Sequence, residues 1–306
     1  MLRGIIPILI TPFDANGRLD EESLRRVVRF ELEGGVHGIG VGGFASEAYK
    51  LTDAERLRCA EIVAAEVTGQ VPLIIGMAAG STEAAIEQAH VYADMRPAAL
   101  MVLPPNTMNL DEASLIDHYI TLANAADVPI MVQQSPQVQG YSHTQMSPES
   151  LAQIAKHAPN VRYFKIEGPG SARRIHALKS RVEEAVRFFG GIGGISLREE
   201  LEAGCSGLLP GVGFNEVFID AWAAWERDDP EAVDAVLRRA HPLVEAVSGH
   251  GHEFSLHARK SLLKQAGIID HATVRRPTVR PDWTALEVVS RLADELNLRI
   301  MQLRRD

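Results

Sequence analysis

Lys165 stands in the stretch VRYFKIEGPG, residues 161–170, inside a run of β-branched and aromatic residues that glycine and proline bring to a stop. An ammonium group held among apolar side chains loses hydration, and shedding its proton leaves a neutral amine able to attack a carbonyl carbon. The chemistry on offer is an imine. The ordinary alternative is a strand-end lysine with its stem along the sheet and its head in water. Two residues later comes Glu167. Alternate side chains of a strand share a face, so Tyr163, Lys165 and Glu167 point one way and Phe164 and Ile166 the other, as far as strand geometry persists. Glu167 is therefore a candidate proton carrier beside the amine, or else a solvated residue capping the next helix.

A second stretch, GVGGFASEAYKLT (residues 40–52), offers a different chemistry. Small residues let Gly43, Phe44, Ala45, Ser46 and Glu47 fold tightly, and consecutive N–H groups in such a turn can hold a carboxylate. The glycine cluster of residues 190–194 carries neither the full dinucleotide fingerprint nor its later acidic residue, so Gly190 and Gly191 are read as places where backbone comes close to substrate. His252 and His257 are five apart where a zinc helix needs four, and no metal is expected there. Tyr141, Ser142 and His143 fall on a loop, with the histidine read as a surface residue. Cys59 and Cys205 are the only cysteines. Cys205, between Gly204 and Ser206, reads as a small buried residue.

The elements that must position these groups follow from periodicity. Short β-rich runs at 4–10, 36–41, 71–76, 99–103, 129–134, 161–165, 187–190 and 207–209 alternate with helical patterns at 21–33, 53–67, 82–95, 112–125, 148–156, 172–178, 198–203 and 215–226. Eight strand–helix units with near-continuously apolar strands predict an α/β chain whose parallel sheet closes into a (β/α)8 barrel, an open doubly wound sheet being the alternative. The barrel is expected over residues 1–229, and a helical extension over 230–306 with helices at 230–247, 252–266 and 283–303. Barrel chemistry sits at the carboxyl ends of the strands, which is where Lys165 falls.

Composition narrows the partners. The 306 residues are 46% hydrophobic with a formal net charge of -9, and lysines and arginines are scattered, so neither nucleic acid nor an anionic membrane is expected as a partner. No apolar run approaches the roughly 18 residues of a membrane span. With two cysteines and no cleavable leader pattern at the start, a reducing, cytoplasmic location is expected.

Four features together carry a family resemblance: the Gly43-x-x-x-Glu47 loop after the second strand, the Val128-Pro129-Ile130-Met131-Val132 fifth strand, Lys165 ending the sixth, and the Gly204-x-x-Gly207 turn entering the eighth. With the opening GIIPILITPFDANGRLD, the chain resembles the dihydrodipicolinate synthase and N-acetylneuraminate lyase family over nearly its whole length. The resemblance implies a (β/α)8 barrel with a C-terminal helical domain, a homotetramer, and a 2-oxo acid substrate held as an imine on Lys165, without metal or organic cofactor. It also implies that the 43–47 loop binds the substrate carboxylate. Gly190, Gly191 and Leu209 join the substrate-lining positions.

The departures decide the reaction. Members usually carry Gly-Thr-Thr-Gly-Glu, a tyrosine at the end of strand five and Pro-Tyr-Tyr after strand four; this chain has Gly43-Phe44-Ala45-Ser46-Glu47, Gln133 and Pro104-Pro105-Asn106. The relay hydroxyls at those positions are gone, and Val138 stands where synthases hold a second carboxylate with arginine. Retro-aldol cleavage needs a base on the C4 hydroxyl, whereas dehydration needs an acid for the departing one. An amide is neither, so Gln133 is expected to orient the substrate and Glu167 to move protons. A dehydratase of a 2-keto-3-deoxy sugar acid is the expected activity, with a pyruvate-dependent aldolase or a non-catalytic binding barrel as alternatives. The turns VQQSPQVQG and CSGLLPG are similar to the 2-keto-3-deoxy-L-arabonate dehydratase branch.

Overall fold

The computed structural model describes residues 1–303 and cuts the expected first strand short: only Gly4–Ile5 form β1. Pro7 has no N–H to give a ladder, and pairing resumes at Ile8, which bridges to Gly40 and Gly211. Helix and strand then alternate as α1 (Glu21–Glu33), β2 (Ile39–Val41), α2 (Asp53–Val67), β3 (Leu73–Met77), α3 (Thr82–Ala93), β4 (Ala99–Val102), α4 (Glu112–Ala125), β5 (Ile130–Gln134), α5 (Pro148–His157), β6 (Val161–Ile166), α6 (Ser171–Lys179), β7 (Arg187–Phe189), α7 (Leu197–Ala203), β8 (Gly207–Leu208) and α8 (Glu216–Glu226). Side chains placed for the purpose start many of the helices. Asp20, Ser81, Asp111 and Ser147 each accept an N–H of the first turn, and Thr52 with Glu55 forms a reciprocal capping box.

Strands β2 to β7 pair in parallel and in order, and β1 pairs with β8. The bridges Ile8↔Gly40 and Gly190↔Leu208 join the two groups, closing a (β/α)8 barrel. Two apolar layers result. Ile6, Ile8, Ile74, Met101, Met131, Tyr163, Phe189 and Leu209 fill the barrel, while Phe164, Ile166 and Phe188 belong to the larger core between strands and helices. The alternation expected along β6 is thus observed, and Lys165 lies on the inward face with Tyr163.

Beyond the barrel run α9 (Pro230–Ser248), α10 (His252–Gln265), α11 (Trp283–Glu295) and α12 (Arg299–Gln302). The single helix expected over 283–303 is two. The chain turns at Asn297, whose φ of 54° is the left-handed conformation that asparagine tolerates better than most residues. The last three residues of the expected 230–306 extension lie outside the described ones. Among the described residues no helix is long and apolar enough to cross a membrane.

Candidate active site

Register sets the centre of the site. Gln133 of β5 lies opposite Lys165 of β6, and the Glu167 N–H donates to the Gln134 carbonyl at 2.9 Å, so the ladder runs one residue past the end of β6. Strand parity therefore persists, and Glu167 shares the face of Lys165. Gly168 and Gly170, at φ 90° and 75°, then turn the chain into α6.

Lys165 Nζ and Glu167 Oε1 stand 3.3 Å apart, and both side chains are buried. Glu167 Oε1 also accepts the Ile192 N–H at 3.1 Å. Its Oε2 accepts the Ser135 hydroxyl and, at 3.2 Å, the Gln133 amide Nε2. Burial alone pushes this carboxyl up, but the Lys165 charge and the donors Ser135, Ile192 and Gln133 outweigh it, holding Glu167 below the usual carboxylate range. It stands ionised beside the amine. Gln133 Nε2 further donates to Ser135 Oγ at 2.9 Å, while Gln133 Oε1 is buried with no partner among the described residues.

The loop after β2 presents backbone to the same space. Phe44–Ser46 form a single 3-10 turn, whose first N–H groups, on Phe44 and Ala45, have no acceptor within the turn. Gly43 has no room for a Cβ against Ile8 and Met101, both inside the barrel, and Ala45 packs on that inner cluster. Ser46 and Glu47 serve the loop itself. Ser46 Oγ donates to the Leu9 carbonyl at 2.5 Å and accepts the Gly42 N–H at 3.0 Å. Glu47 leaves the turn at φ 53° and reaches Lys260 at 2.5 Å, Lys50 at 3.3 Å and the Arg275 N–H at 3.0 Å, which takes its carboxylate to the C-terminal part of the chain.

Aromatic groups close over the turn. Tyr141, half-buried, meets the Phe44 ring edge-on at 5.4 Å, and the His252 ring stands 6.0 Å from it. His252 Nε2 lies 3.1 Å from the Phe44 carbonyl, an acceptor that fixes the Nε2–H tautomer, and burial pushes this imidazole down toward its neutral form. His257 turns elsewhere, to Thr278 and Val279. Among the described residues no group of three or more His, Cys, Asp or Glu is gathered for a metal ion. Cys59 and Cys205 are free and buried.

On the β7 side, what approaches the glycines is the protein's own carboxyls. A Cβ on Gly191 would overlap Glu167 Oε1, and one on Gly190 would overlap Glu200 Oε2. Leu209 lines the barrel interior, its N–H donating to the Gly190 carbonyl at 3.1 Å. Sequence reasoning passed over Ser135, Tyr141, His252 and Glu200 as members of the site. Ser135 was within reach of it: register that pairs Gln133 with Lys165 brings Ser135 level with Glu167.

Known proteins share this fold and sequence pattern. Residues 1–295 match the model of the dihydrodipicolinate synthetase family. The L-2-keto-3-deoxyarabonate dehydratase of Azospirillum brasilense is 30% identical across 97% of this chain and 96% of its own length. The 4-hydroxy-tetrahydrodipicolinate synthase of Stenotrophomonas maltophilia K279a is 31% identical across 87% of this chain and 88% of its own. The solved dihydrodipicolinate synthase of Thermotoga maritima superposes with a TM-score of 0.88 at 25% identity, covering 97% of this chain and 99% of that one. A family model matched over residues 1–295 and a relative 30% identical over nearly the whole of both chains place this chain in the dihydrodipicolinate synthetase family, whose relatives here are lyases.

Proposed function

We propose that the protein is a dehydratase of a 2-keto-3-deoxy sugar acid, working through an imine on Lys165. The observation that carries this reading is the Lys165–Glu167 pair, 3.3 Å apart, with the far carboxylate oxygen held by Ser135 and Gln133. Glu167 takes a proton from the Lys165 ammonium, the freed amine adds to the C2 carbonyl, and that proton returns to the departing oxygen, so water leaves and a protonated imine remains that draws electrons from C3. Glu167, ionised, takes a C3 proton and an enamine forms. The enamine electrons expel the C4 hydroxyl, which leaves as water with the proton Glu167 has just gained; a C3=C4 double bond forms and the imine is restored. Hydrolysis then frees Lys165 and returns the first water. The balance is one water lost from C3 and C4 with the carbon chain intact.

The surroundings suit such a substrate. The Phe44 and Ala45 N–H groups, with no acceptor within their turn, would take the C1 carboxylate, and Gln133 Oε1, without a partner among the described residues, would accept from a substrate hydroxyl. Gln133 has no proton to exchange in the working range. The Azospirillum relative, named as a dehydratase of a 2-keto-3-deoxy acid, supports the same choice.

Product analysis tests it. A 2-keto-3-deoxy pentonate or hexonate incubated with the protein should give a product lighter by one water, with no pyruvate. Pyruvate plus an aldehyde would transfer the assignment to an aldolase, and neither turnover nor any borohydride adduct would point to a binding barrel.

A further inference from the structure

Glu200 is a carboxyl that the proposed reaction does not use, yet it stands directly behind the site. It projects from α7 to the outer side of the Gly190–Gly191 backbone and is only 2% exposed. Ser171 Oγ, at the start of α6, donates to its Oε1 at 2.6 Å, while Oε2 has no partner among the described residues and lies where a Gly190 Cβ would be. The adjacent glycine, Gly191, makes the same room for Glu167 Oε1. Two glycines in succession thus each receive a carboxyl. A buried carboxylate oxygen without a donor is costly, whereas a protonated acid at that place leaves no charge uncompensated.

We propose that Glu200 is a positioning residue of the imine site: as a neutral acid it leaves the Glu167 carboxylate unopposed at the Gly190–Gly191 turn, and when it ionises its charge repels Glu167 from its place beside Lys165. The proposal rests on the reading of Glu167 as the proton carrier. The groups facing Glu200 are Ser171 and Arg174 from α6, Glu167 beyond β6, Glu199 on its own helix and the Cys205 thiol ahead of β8. Arg174 does not neutralise it by contact. Its guanidinium donates to the Glu167 and Pro169 carbonyls, and its Nε has no partner among the described residues. Burial pushes the Glu200 carboxyl up to about 8, with the charges of Glu167 and Glu199 adding to it and the Ser171 hydroxyl and Arg174 opposing. The two carboxyls lie against one turn, so a charge appearing on Glu200 repels the Glu167 carboxylate and weakens its hold beside Lys165.

The test reads both carboxyls without substrate. Carboxyl carbon-13 spectra of glutamate-labelled protein are recorded from about pH 5 to about pH 10 on the wild type, Glu200→Gln, Ser171→Ala and, for assignment, Glu167→Gln. A resonance titrating near pH 8 is expected, absent from Glu200→Gln and shifted to higher pH in Ser171→Ala, which removes the donor that favours the charged form. The Glu167 resonance should show a second inflection at the Glu200 midpoint, lost in Glu200→Gln. Trapping of pyruvate by borohydride should fall over that interval in the wild type and persist about one pH unit higher in Glu200→Gln. A Glu200 carboxyl titrating in the ordinary range, a Glu167 resonance indifferent to it, or an unchanged alkaline limb in Glu200→Gln would overturn the proposal. Failure of the imine reading itself is a separate result, seen as no adduct in the wild type at any pH.

Discussion

Lys260→Met probes how the C-terminal helices hold the substrate loop. Lys260 and Glu47 form an ion pair at 2.5 Å with both side chains 0% exposed, and Lys260 also donates to the Thr273 carbonyl at 2.8 Å and lies over the Phe13 ring. Removing one partner of a buried pair leaves an uncompensated charge and costs about 3–5 kcal/mol. Glu47 keeps Lys50 at 3.3 Å and the Arg275 N–H at 3.0 Å, so the lower end, about 3 kcal/mol, is expected. Urea unfolding at neutral pH measures the loss. The double variant Glu47→Gln/Lys260→Met, which removes both charges, should be more stable than Lys260→Met alone. Because Glu47 closes the turn that presents the Phe44 and Ala45 N–H groups, the single variant should also raise KM for the 2-oxo acid. A Lys260→Met protein within about 1 kcal/mol of wild type, or a double variant below the single, would refute the reasoning.

Three further outcomes follow from the same geometry. Gly191→Ala places a Cβ where Glu167 Oε1 lies, so turnover should fall at least about a hundredfold while the protein stays folded, as seen by circular dichroism; full activity would mean that Glu167 is not needed there. Ser135→Ala removes a donor that lowers Glu167, so the acid limb of kcat/KM should move to higher pH, and an unmoved limb would separate Glu167 from the proton transfer. Glu200→Gln should change how stability depends on pH. The carboxyl is raised from 4.5 to about 8 by folding, so its contribution is fully present below pH 4.5 and is lost as pH rises through about 8, on the order of 5 kcal/mol in all. Urea midpoints of Glu200→Gln should therefore gain on wild type between acid and mildly alkaline pH, and parallel curves would contradict the shift.

The strand and helix order was legible because each apolar run had its own period, and Lys165 was legible as the polar exception in one of them. Parity along β6 also placed Glu167, though only the Glu167–Gln134 ladder bond shows that the strand geometry lasts that far. Elsewhere tertiary contacts decided. The loop motif put Glu47 with the substrate, but its left-handed backbone turns the carboxylate to Lys260, more than two hundred residues away in sequence. The stretch LADELNLRIM keeps a helical pattern across Asn297, so the break between α11 and α12 carried no local signal. Glu200 looked like any charged helix residue; only the packing of α7 against Gly190 buries it. Ser135 lies one residue past β5, outside the positions whose hydroxyls the family pattern specifies, so no motif marks it.

The central claim is that Lys165 forms an imine with a 2-oxo acid, and reductive trapping tests it most directly. Wild-type protein incubated with a 2-keto-3-deoxy sugar acid or pyruvate and borohydride should gain one reduced adduct, with peptide mass spectrometry locating it on Lys165. Lys165→Ala should gain none and lose more than about a hundredfold in activity, about 2.7 kcal/mol or more of transition-state stabilisation. An adduct on another lysine, or a Lys165→Ala variant that retains more than that activity, would contradict the account.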